Sequence, residues 1–202
     1  MTSKETFTYP SLMRIRRESK RFQGDNRFPQ EDVFRVPEGT TVIPDFAYQK
    51  RADIRRLVIP EGVTEIDMCA FEKCINLETV SLPSTLRIIG WNAFHGCENL
   101  RRLVVPEGVT EIERSAFWDC KNLETVSLPG TLREIGRYAF SSCESLHELV
   151  VPEGVTKIGE DAFRFCKNLE TVTLPDSLRE LGYSAFYGCD SLRKVSLPAS
   201  WK

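Results

Sequence analysis

Apolar residues recur along this chain with a period of 23 residues. The period is marked by the prolines Pro37, Pro60, Pro83, Pro106, Pro129, Pro152, Pro175 and Pro198. Aligned on these prolines, the repeating unit reads L/V-P-x-x-V/L-x-x-I-x-x-x-A-F-x-x-C-x-x-L-x-x-V/L-x-L/V. A unit of this length cannot bury its own apolar face, so neighbouring units must stack on one another. The pattern therefore predicts a solenoid.

One half of each unit has the pattern of a strand. In the segment LETVSLP we expect Leu77, Val80 and Leu82 to point inward, while the residues between them point outward. Proline ends the strand because it has no N–H to donate to the ladder. Strands from successive units are expected to stack in register and to form a parallel sheet.

The other half of each unit has a different spacing. The intervals i, i+4, i+5 and i+8 are typical of the buried face of a short helical turn, and they fit Ile66, Ala70, Phe71 and Cys74. The predicted fold class is therefore α/β: a solenoid with a parallel sheet on one face and short helical turns on the other.

The period also predicts the domain organisation. Residues 1–36 lack the repeat and are predicted to be an N-terminal cap. Residues 37–202 form seven 23-residue units and a final partial unit, and the first unit is degenerate, with Ala47-Tyr48 in place of Ala-Phe. The basic segment RIRRESKR (14–21) is interpreted as the solvated face of a capping helix, with an arm for nucleic acid or an acidic partner as the alternative.

The segment LETVSLPGTLREIGRYAFSSC (123–143) closely resembles the BspA-like leucine-rich repeat family, and the resemblance extends over about residues 37–198. It implies a leucine-rich-repeat solenoid used for binding, often on microbial surfaces, with no catalytic residues. The predicted function is thus a non-enzymatic protein-binding module with an unknown ligand. The alternative is a structural or assembly module that acts through self-association or as part of a longer chain.

Composition adds constraints on partners and location. The chain has 202 residues, of which 28% are charged, and a formal net charge of -2, so we expect a protein partner and no nucleic acid. No apolar run approaches the length of a membrane span. The N-terminus lacks the apolar stretch of a signal peptide, which predicts a cytoplasmic protein. The alternative is a secreted or cell-surface protein from which a signal has been removed.

Seven cysteines raise the question of metal or redox chemistry, because Cys69 and Cys74 lie close together in sequence. Cys74, however, recurs as Cys97, Cys120, Cys143, Cys166 and Cys189, which favours a small buried side chain stacked from unit to unit. A nucleophile and base formed by Cys97 and His95 would be unique among these equivalent positions. No catalytic residue, metal or cofactor is predicted, and the chain has no G-x-S-x-G, P-loop or H-E-x-x-H motif.

Two groups of outward residues are candidates for binding. On the predicted sheet they are Arg56, Arg102, Val104 and Glu148. On the turn side they are the aromatic residues Trp91, Trp118, Phe165, Tyr183 and Tyr187. Exposed aromatic side chains are typical of interaction sites. The alternative explanation is structural: a cation–π contact of Arg114, which lies at i, i+4 with Trp118 in the same unit, or burial between units.

Two further patterns concern assembly. The position after the repeat leucine reads Arg55, Glu78, Arg101, Glu124, His147, Glu170 and Arg193, and this alternation of charge is interpreted as control of register rather than as a charged ligand track. At the C-terminal edge, Val195, Leu197 and Trp201 occupy positions that are buried in complete units. Trp201 is expected to plug this edge, or two chains to form a homodimer there, or a further unit to follow.

Overall fold

The computed structural model describes residues 33–201, which form a stack of short strands joined by turns. The strands are β1 Val33–Arg35, β2 Val42–Ile43, β3 Arg56–Val58, β4 Glu65–Ile66, β5 Thr79–Ser81, β6 Ile88–Ile89, β7 Arg102–Val104, β8 Glu111–Ile112, β9 Thr125–Ser127, β10 Glu134–Ile135, β11 Glu148–Val150, β12 Lys157–Ile158, β13 Thr171–Thr173, β14 Glu180–Leu181 and β15 Lys194–Ser196. A 3-10 turn, Ala199–Trp201, follows the last strand.

Each unit contributes one strand to each of two sides of the solenoid. The three-residue, odd-numbered strands form a parallel sheet from β1 to β9 and a second from β11 to β15. The two-residue, even-numbered strands form a seven-stranded parallel sheet from β2 to β14. Paired residues are 23 positions apart at every step, so that Leu103 lies beside Val126 and Ile112 beside Ile135. The predicted parallel sheet is confirmed, whereas the seven-stranded sheet was not predicted.

The prediction of helical turns is wrong. In the turn that follows β4, Cys69 and Lys73 have φ values of 56° and 57°, which no right-handed helix contains. The N–H of Phe71 donates to the carbonyl oxygen of Ala93 in the next unit at 2.8 Å, instead of to a residue one helical turn earlier. The fold is therefore a parallel β-solenoid, and the α component of the predicted α/β class is absent from residues 33–201.

The turn has an alternating hydrogen-bond pattern that explains the error. Amides such as those of Phe117 and Asp119 donate to the next unit, while the amides of Ala116 and Trp118 donate to the residue three positions earlier. This coil buries the same positions as the predicted helix would. Because helical turn and solenoid turn share one burial pattern, the apolar spacing could not distinguish them.

The core is a stack of identical side chains. Phe71, Phe94, Phe117, Phe140, Phe163 and Phe186 form a column in which neighbouring ring centroids are 5.2–5.4 Å apart and the planes differ by 10° or less. The cysteines form a second column beside the rings: the thiol of Cys120, for example, donates to the carbonyl oxygen of Phe94 at 3.4 Å. All seven cysteines are free and buried, as the repeat predicted for Cys74 and its equivalents.

Charged residues bridge neighbouring units on the surface, as predicted. The ion pairs Arg55–Glu78, Arg101–Glu124 and Arg193–Glu170 have N–O distances of 3.4, 3.8 and 3.1 Å. A parallel row contains the pairs Lys121–Glu98 and Lys167–Glu144, both at 3.0 Å. These side chains are largely exposed, so each pair contributes only about 0.2–1 kcal/mol. Their arrangement is consistent with control of register.

Most of the predicted cap, 1–36, including the basic segment 14–21, lies outside the described residues. Its last residues form β1, which pairs in register with β3. Between residues 33 and 201 there is no helix with the length and apolarity that crossing a membrane requires.

Candidate functional site

The side of the solenoid formed by the turns between each even-numbered strand and the following odd-numbered strand is called the turn face here. Its outward positions carry a run of aromatic side chains, the aromatic stripe, which consists of Trp91, Trp118, Tyr138, Phe165, Tyr183 and Tyr187. Tyr183 is 84% exposed and Tyr187 58%, while Trp91 and Trp118 are 42% and 40% exposed. The structure therefore places all five aromatic candidates on one face, and it adds Tyr138.

The turn itself determines which side chains point outward. In the turn after β6, Ala93 and Phe94 are completely buried in the core, and Cys97 is buried three residues later. Trp91 precedes this buried pair and His95 follows it, so both lie on the outer side. The same two positions hold Arg114 and Trp118 in the next unit. Consecutive units thus bring their outward residues together across the stack.

In the first half of the stripe, the contacts join neighbouring units. The guanidinium of Arg114 lies 5.1 Å from the ring centroid of Trp91. The imidazole of His95 stacks on Trp118, with centroids 4.7 Å apart and planes 9° apart. Trp118 in turn contacts Tyr138 at 6.0 Å. The predicted cation–π contact of Arg114 exists, but its partner belongs to the preceding unit.

The imidazole of His95 is neutral in this stack. Burial lowers its pKa, and the neighbouring carboxylate of Glu72 opposes this shift only in part. Its Nδ1 is 3.4 Å from Oε1 of Glu72, too long for a good hydrogen bond, and this nitrogen has no hydrogen-bond partner among the described residues. A neutral imidazole stacked on an indole is mainly an apolar surface.

In the second half of the stripe, one arginine makes cation–π contacts with two rings. The guanidinium of Arg164 lies 4.7 Å from the ring centroid of Phe165 and 5.1 Å from that of Tyr187. Phe165 and Tyr187 meet edge to face at 5.7 Å. The ring of Phe165 lies over Gly188, where a Cβ would come within 2.4 Å of Cδ1 of the ring. Glycine at this position therefore makes room for the aromatic side chain of the preceding unit.

The cations of the turn face differ in their partners. Arg137 forms an ion pair with Glu160 at 2.9 Å, and Arg164 forms one with Asp161 at 3.3 Å. For Arg114, the part of the chain that the structure describes provides no carboxylate within ion-pair distance, and its guanidinium contacts the ring of Trp91. Arg137 and Arg164 are not among the residues predicted from the sequence, although they occupy the same turn positions as Arg114 and Trp118 in other units.

The candidates on the sheet lie on a different face. Arg102 and Val104 alternate with the buried Leu103 on β7, and Arg56 and Glu148 occupy the same position on β3 and β11. Val104 is 67% exposed. Among residues 33–201, no aromatic side chain lies on the outer side of these strands. The structure therefore does not join the two groups of candidates into one site.

The thiol of Cys97 is directed away from the chemistry considered for it. It donates to the carbonyl oxygen of Phe71 at 3.3 Å, inside the core. Burial raises its pKa, and contact with the thiol of Cys74 adds to this effect. The alternative of a Cys97–His95 nucleophile is therefore not supported by the geometry. Within the described residues, no three His, Cys, Asp or Glu side chains are grouped so that they could hold a metal ion.

Comparison with known proteins agrees with this architecture. Residues 41–169 and 133–202 match the family described as BspA type leucine rich repeat region, in 6 copies. The chain is similar to the leucine-rich repeat protein of T. pallidum, with 35% identity over 85% of this chain and 78% of that chain and a TM-score of 0.71. It is also similar to a leucine-rich repeat protein from Bacteroides ovatus, with 27% identity, 81% and 54% coverage and a TM-score of 0.55.

A third solved structure, the pneumococcal vaccine antigen PcpA, shares the fold at 20% identity and a TM-score of 0.60, over 76% of this chain and 41% of that one. No curated protein was found to match the chain. The repeat, the stacked core and the family match agree with one another. The chain belongs to the BspA-type leucine-rich repeat family.

Proposed function

We propose that this chain is a non-enzymatic protein-binding module whose partner docks on the aromatic stripe. The family is a repeat family associated with protein interaction or structural roles, and this supports the general class of function. The observation that carries the choice of surface is the loss of periodicity on the turn face, where large aromatic side chains are exposed.

Periodicity separates positions that the fold requires from positions that it does not. The core holds phenylalanine at each step from Phe71 to Phe186, because every unit must stack on the next. At one turn-face position, by contrast, successive units hold Met68, Trp91, Arg114, Arg137, Glu160 and Tyr183. Stacking makes no common demand on this position, and the exposed rings there are costly for solubility unless they are used.

The chemistry of the stripe suits a protein partner. Binding hot spots are enriched in Trp, Tyr and Arg, and the stripe with its cations contains all three. Rings of the stripe other than Tyr183 are also held in place before binding by ring–ring or cation–π contacts, most of them with neighbouring units. Such preorganisation reduces the entropy lost on association. The sheet face has exposed valines but no comparable anchor, which makes it the weaker candidate.

A paired set of variants tests the choice of surface. A phage-displayed library of protein fragments from the source organism is selected on the wild-type protein, and binding of the selected fragments is then measured. We expect Trp118→Ala with Tyr187→Ala to abolish binding while the melting temperature changes by no more than a few degrees. Arg102→Glu with Val104→Glu should leave binding intact. Loss of binding in the second pair alone would assign the site to the sheet face and overturn the proposal.

Self-association is the second candidate function. Val195 and Leu197 are both 42% exposed, and β15 pairs with β13 on one side only within residues 33–201. Trp201 lies in the following 3-10 turn and is itself 40% exposed. Exposed apolar residues at a strand edge favour pairing with another chain or with a further unit of a longer chain. Light scattering would show a dimer that Leu197→Lys with Trp201→Lys converts to a monomer; a wild-type monomer at high concentration would contradict this candidate.

We also propose a cytoplasmic location, with the cell surface as the alternative. The buried, free cysteines support it, because extracellular proteins usually pair their thiols. Thiol titration of freshly purified protein should find unreactive cysteines in the native state and all seven after unfolding. Three disulfides in that preparation would favour the alternative.

A further inference from the structure

We propose that the stripe binds an extended polypeptide segment that carries a carboxylate for Arg114 and, about four or five residues away, an apolar or aromatic side chain for Tyr183 and Tyr187. This inference rests on the proposed function, because it names the partner of the same surface. Its two anchors are an exposed cation without a carboxylate and an exposed pair of rings.

The first anchor is a matter of charge complementarity. Two other arginines that lie over rings of the stripe, Arg137 and Arg164, already form ion pairs with Glu160 and Asp161. Arg114 is exposed, and no acidic group of the described residues lies within ion-pair distance of it. A guanidinium that lies over a ring keeps its edge N–H groups available for a planar bidentate contact with a carboxylate. An acidic side chain of the partner would complete this group.

Trp91 makes the Arg114 anchor more specific than a surface charge alone. The indole covers one side of the guanidinium, with 5.1 Å between the charge centre and the ring centroid. This contact restricts the arginine side chain and removes part of its hydration. A charge-assisted hydrogen bond formed there is expected to be stronger than one to a mobile, fully solvated arginine.

The second anchor is apolar. Tyr183 and Tyr187 are the most exposed rings of the stripe, and they lie in the same turn. Tyr187 is positioned by Phe165 and Arg164, so one edge of this pair is fixed in advance. Two exposed tyrosine rings present flat apolar area with a hydroxyl at the rim, a surface suited to an aliphatic or aromatic side chain.

The spacing of the anchors follows from the repeat. Arg114 and Tyr183 occupy the same position in units that are three repeats apart. Parallel strands stack about 4.8 Å apart, so the two positions are separated by about 14 Å along the stack. An extended chain advances about 3.3 Å per residue and spans this distance in four or five residues. An α-helix would need about nine.

Selection of random linear peptides displayed on phage, with the intact protein as the target, tests the inference. We expect the selected peptides to contain Asp or Glu about four or five residues from an apolar or aromatic residue. Arg114→Glu should weaken them by about tenfold or more, because a charged hydrogen bond is replaced by repulsion. Selection on the Arg114→Glu protein should return Lys or Arg in place of the acidic residue.

Arg179→Glu is the matched control, because it makes the same change of charge at an exposed arginine outside the stripe. It should leave peptide affinity nearly unchanged, and the melting temperatures of both variants should show that they are folded. Peptides that lose binding with Trp118→Ala and Tyr187→Ala but tolerate Arg114→Glu would overturn this inference and leave the proposed function standing. Peptides that tolerate all of these changes would overturn both. A spacing of about nine residues, or no enrichment at all, would overturn the extended segment.

Discussion

The strand side and the turn face of this solenoid are built from the same units, yet they differ in how strictly they repeat. On the strand side, the outward position alternates between Arg56, Thr79, Arg102 and Thr125 in the first four complete units. On the turn face, the contacts differ from one pair of units to another: Trp91 meets Arg114 at one step, Trp118 meets Tyr138 at the next, and Phe165 meets Tyr187 two steps later. The repeat is therefore conserved where units must match and lost where they need not.

The difference shows that the turn conformation is set by the stack rather than by the local sequence. Bulky residues such as Tyr138 and Phe165 adopt positive φ values of 56° and 58°, a conformation that side chains with a Cβ usually avoid. Both amides donate to the next unit, to Glu160 and Tyr187 respectively. Because the backbone ladder holds the turn, the side chains outside it are free to vary, and binding residues can be placed there without loss of the fold.

The largest effect is expected in the core that both sides share. Phe117 is completely buried between Phe94 and Phe140, so Phe117→Ala should lower the free energy of unfolding by about 3–5 kcal/mol. Phe186 is the matched control, because it is only partly buried and, in the described residues, stacks on Phe163 alone. Phe186→Ala should cost clearly less. Urea unfolding measures both, and equal losses would contradict a stack stabilised by its two neighbours.

Gly136, at the start of a turn, and Gly130, in the loop after a strand, differ in how closely neighbouring atoms approach them. At Gly136, after β10, a Cβ would lie 2.7 Å from the carbonyl carbon of Glu113, so Gly136→Ala should cost about 1–3 kcal/mol. At Gly130, after β9, a Cβ would meet no atom within 4 Å. Gly130→Ala should be neutral or stabilise by up to about 1 kcal/mol. Thermal unfolding would refute the close approach if both variants behaved alike.

Features that repeat along the sequence could be predicted, whereas features that depend on contacts between units could not. Buried positions such as Phe94 and Leu103 and the ion pair Arg101–Glu124 followed from the 23-residue period, and the structure confirms them. The two-residue strands were missed, since Glu134–Ile135 is too short to show alternation. A pattern of burial also could not tell a helical turn from a coil that bonds to the next unit.

The stripe was predicted in part for the same reason. Its aromatic members could be identified as outward residues from their positions in the repeat. Their partners could not, because the i, i+4 spacing within one unit points from Arg114 to Trp118, whereas the guanidinium contacts Trp91 of the preceding unit. Residues 23 positions apart are neighbours in this fold, and the i, i+4 spacing within one unit does not reveal these contacts.

Two aspartates, Asp67 and Asp53, are expected to change the stability of the fold with pH in opposite directions. Asp67, next to β4, lies near Glu65, Asp45 and Glu113, and its burial together with these acidic neighbours raises its pKa to about 7. Because the folded state retains this proton more strongly than the unfolded state, the stabilisation is complete below about pH 4 and is lost as pH rises through about 7. Asp67→Asn should therefore raise the melting temperature above pH 7, by roughly 2–5 °C, and have little effect near pH 4.

Asp53, before β3, is the control of opposite sign. Its hydrogen bond with Arg51 lowers its pKa, so its stabilisation is present above the ordinary carboxyl pKa and is lost as pH falls below it. Asp53→Asn should lower the melting temperature at pH 7, and the difference should shrink at low pH. If the two substitutions shifted the melting temperature in the same direction at pH 8, the assignment of the Asp67 shift would be wrong.

The smallest effect is expected for the ion pairs that align the strand side. Arg101 and Glu124 are exposed and 3.8 Å apart, so a double-mutant cycle with alanine at both positions should give a coupling of about 0.2–0.5 kcal/mol. This coupling should vanish in concentrated salt, because exposed charges are screened. The same cycle for Arg114 and Trp91 should give about 0.5–1 kcal/mol and depend less on salt, since the guanidinium lies over a ring. A coupling well above 1 kcal/mol for Arg101 and Glu124 would make that pair a determinant of stability and contradict its interpretation as a register device.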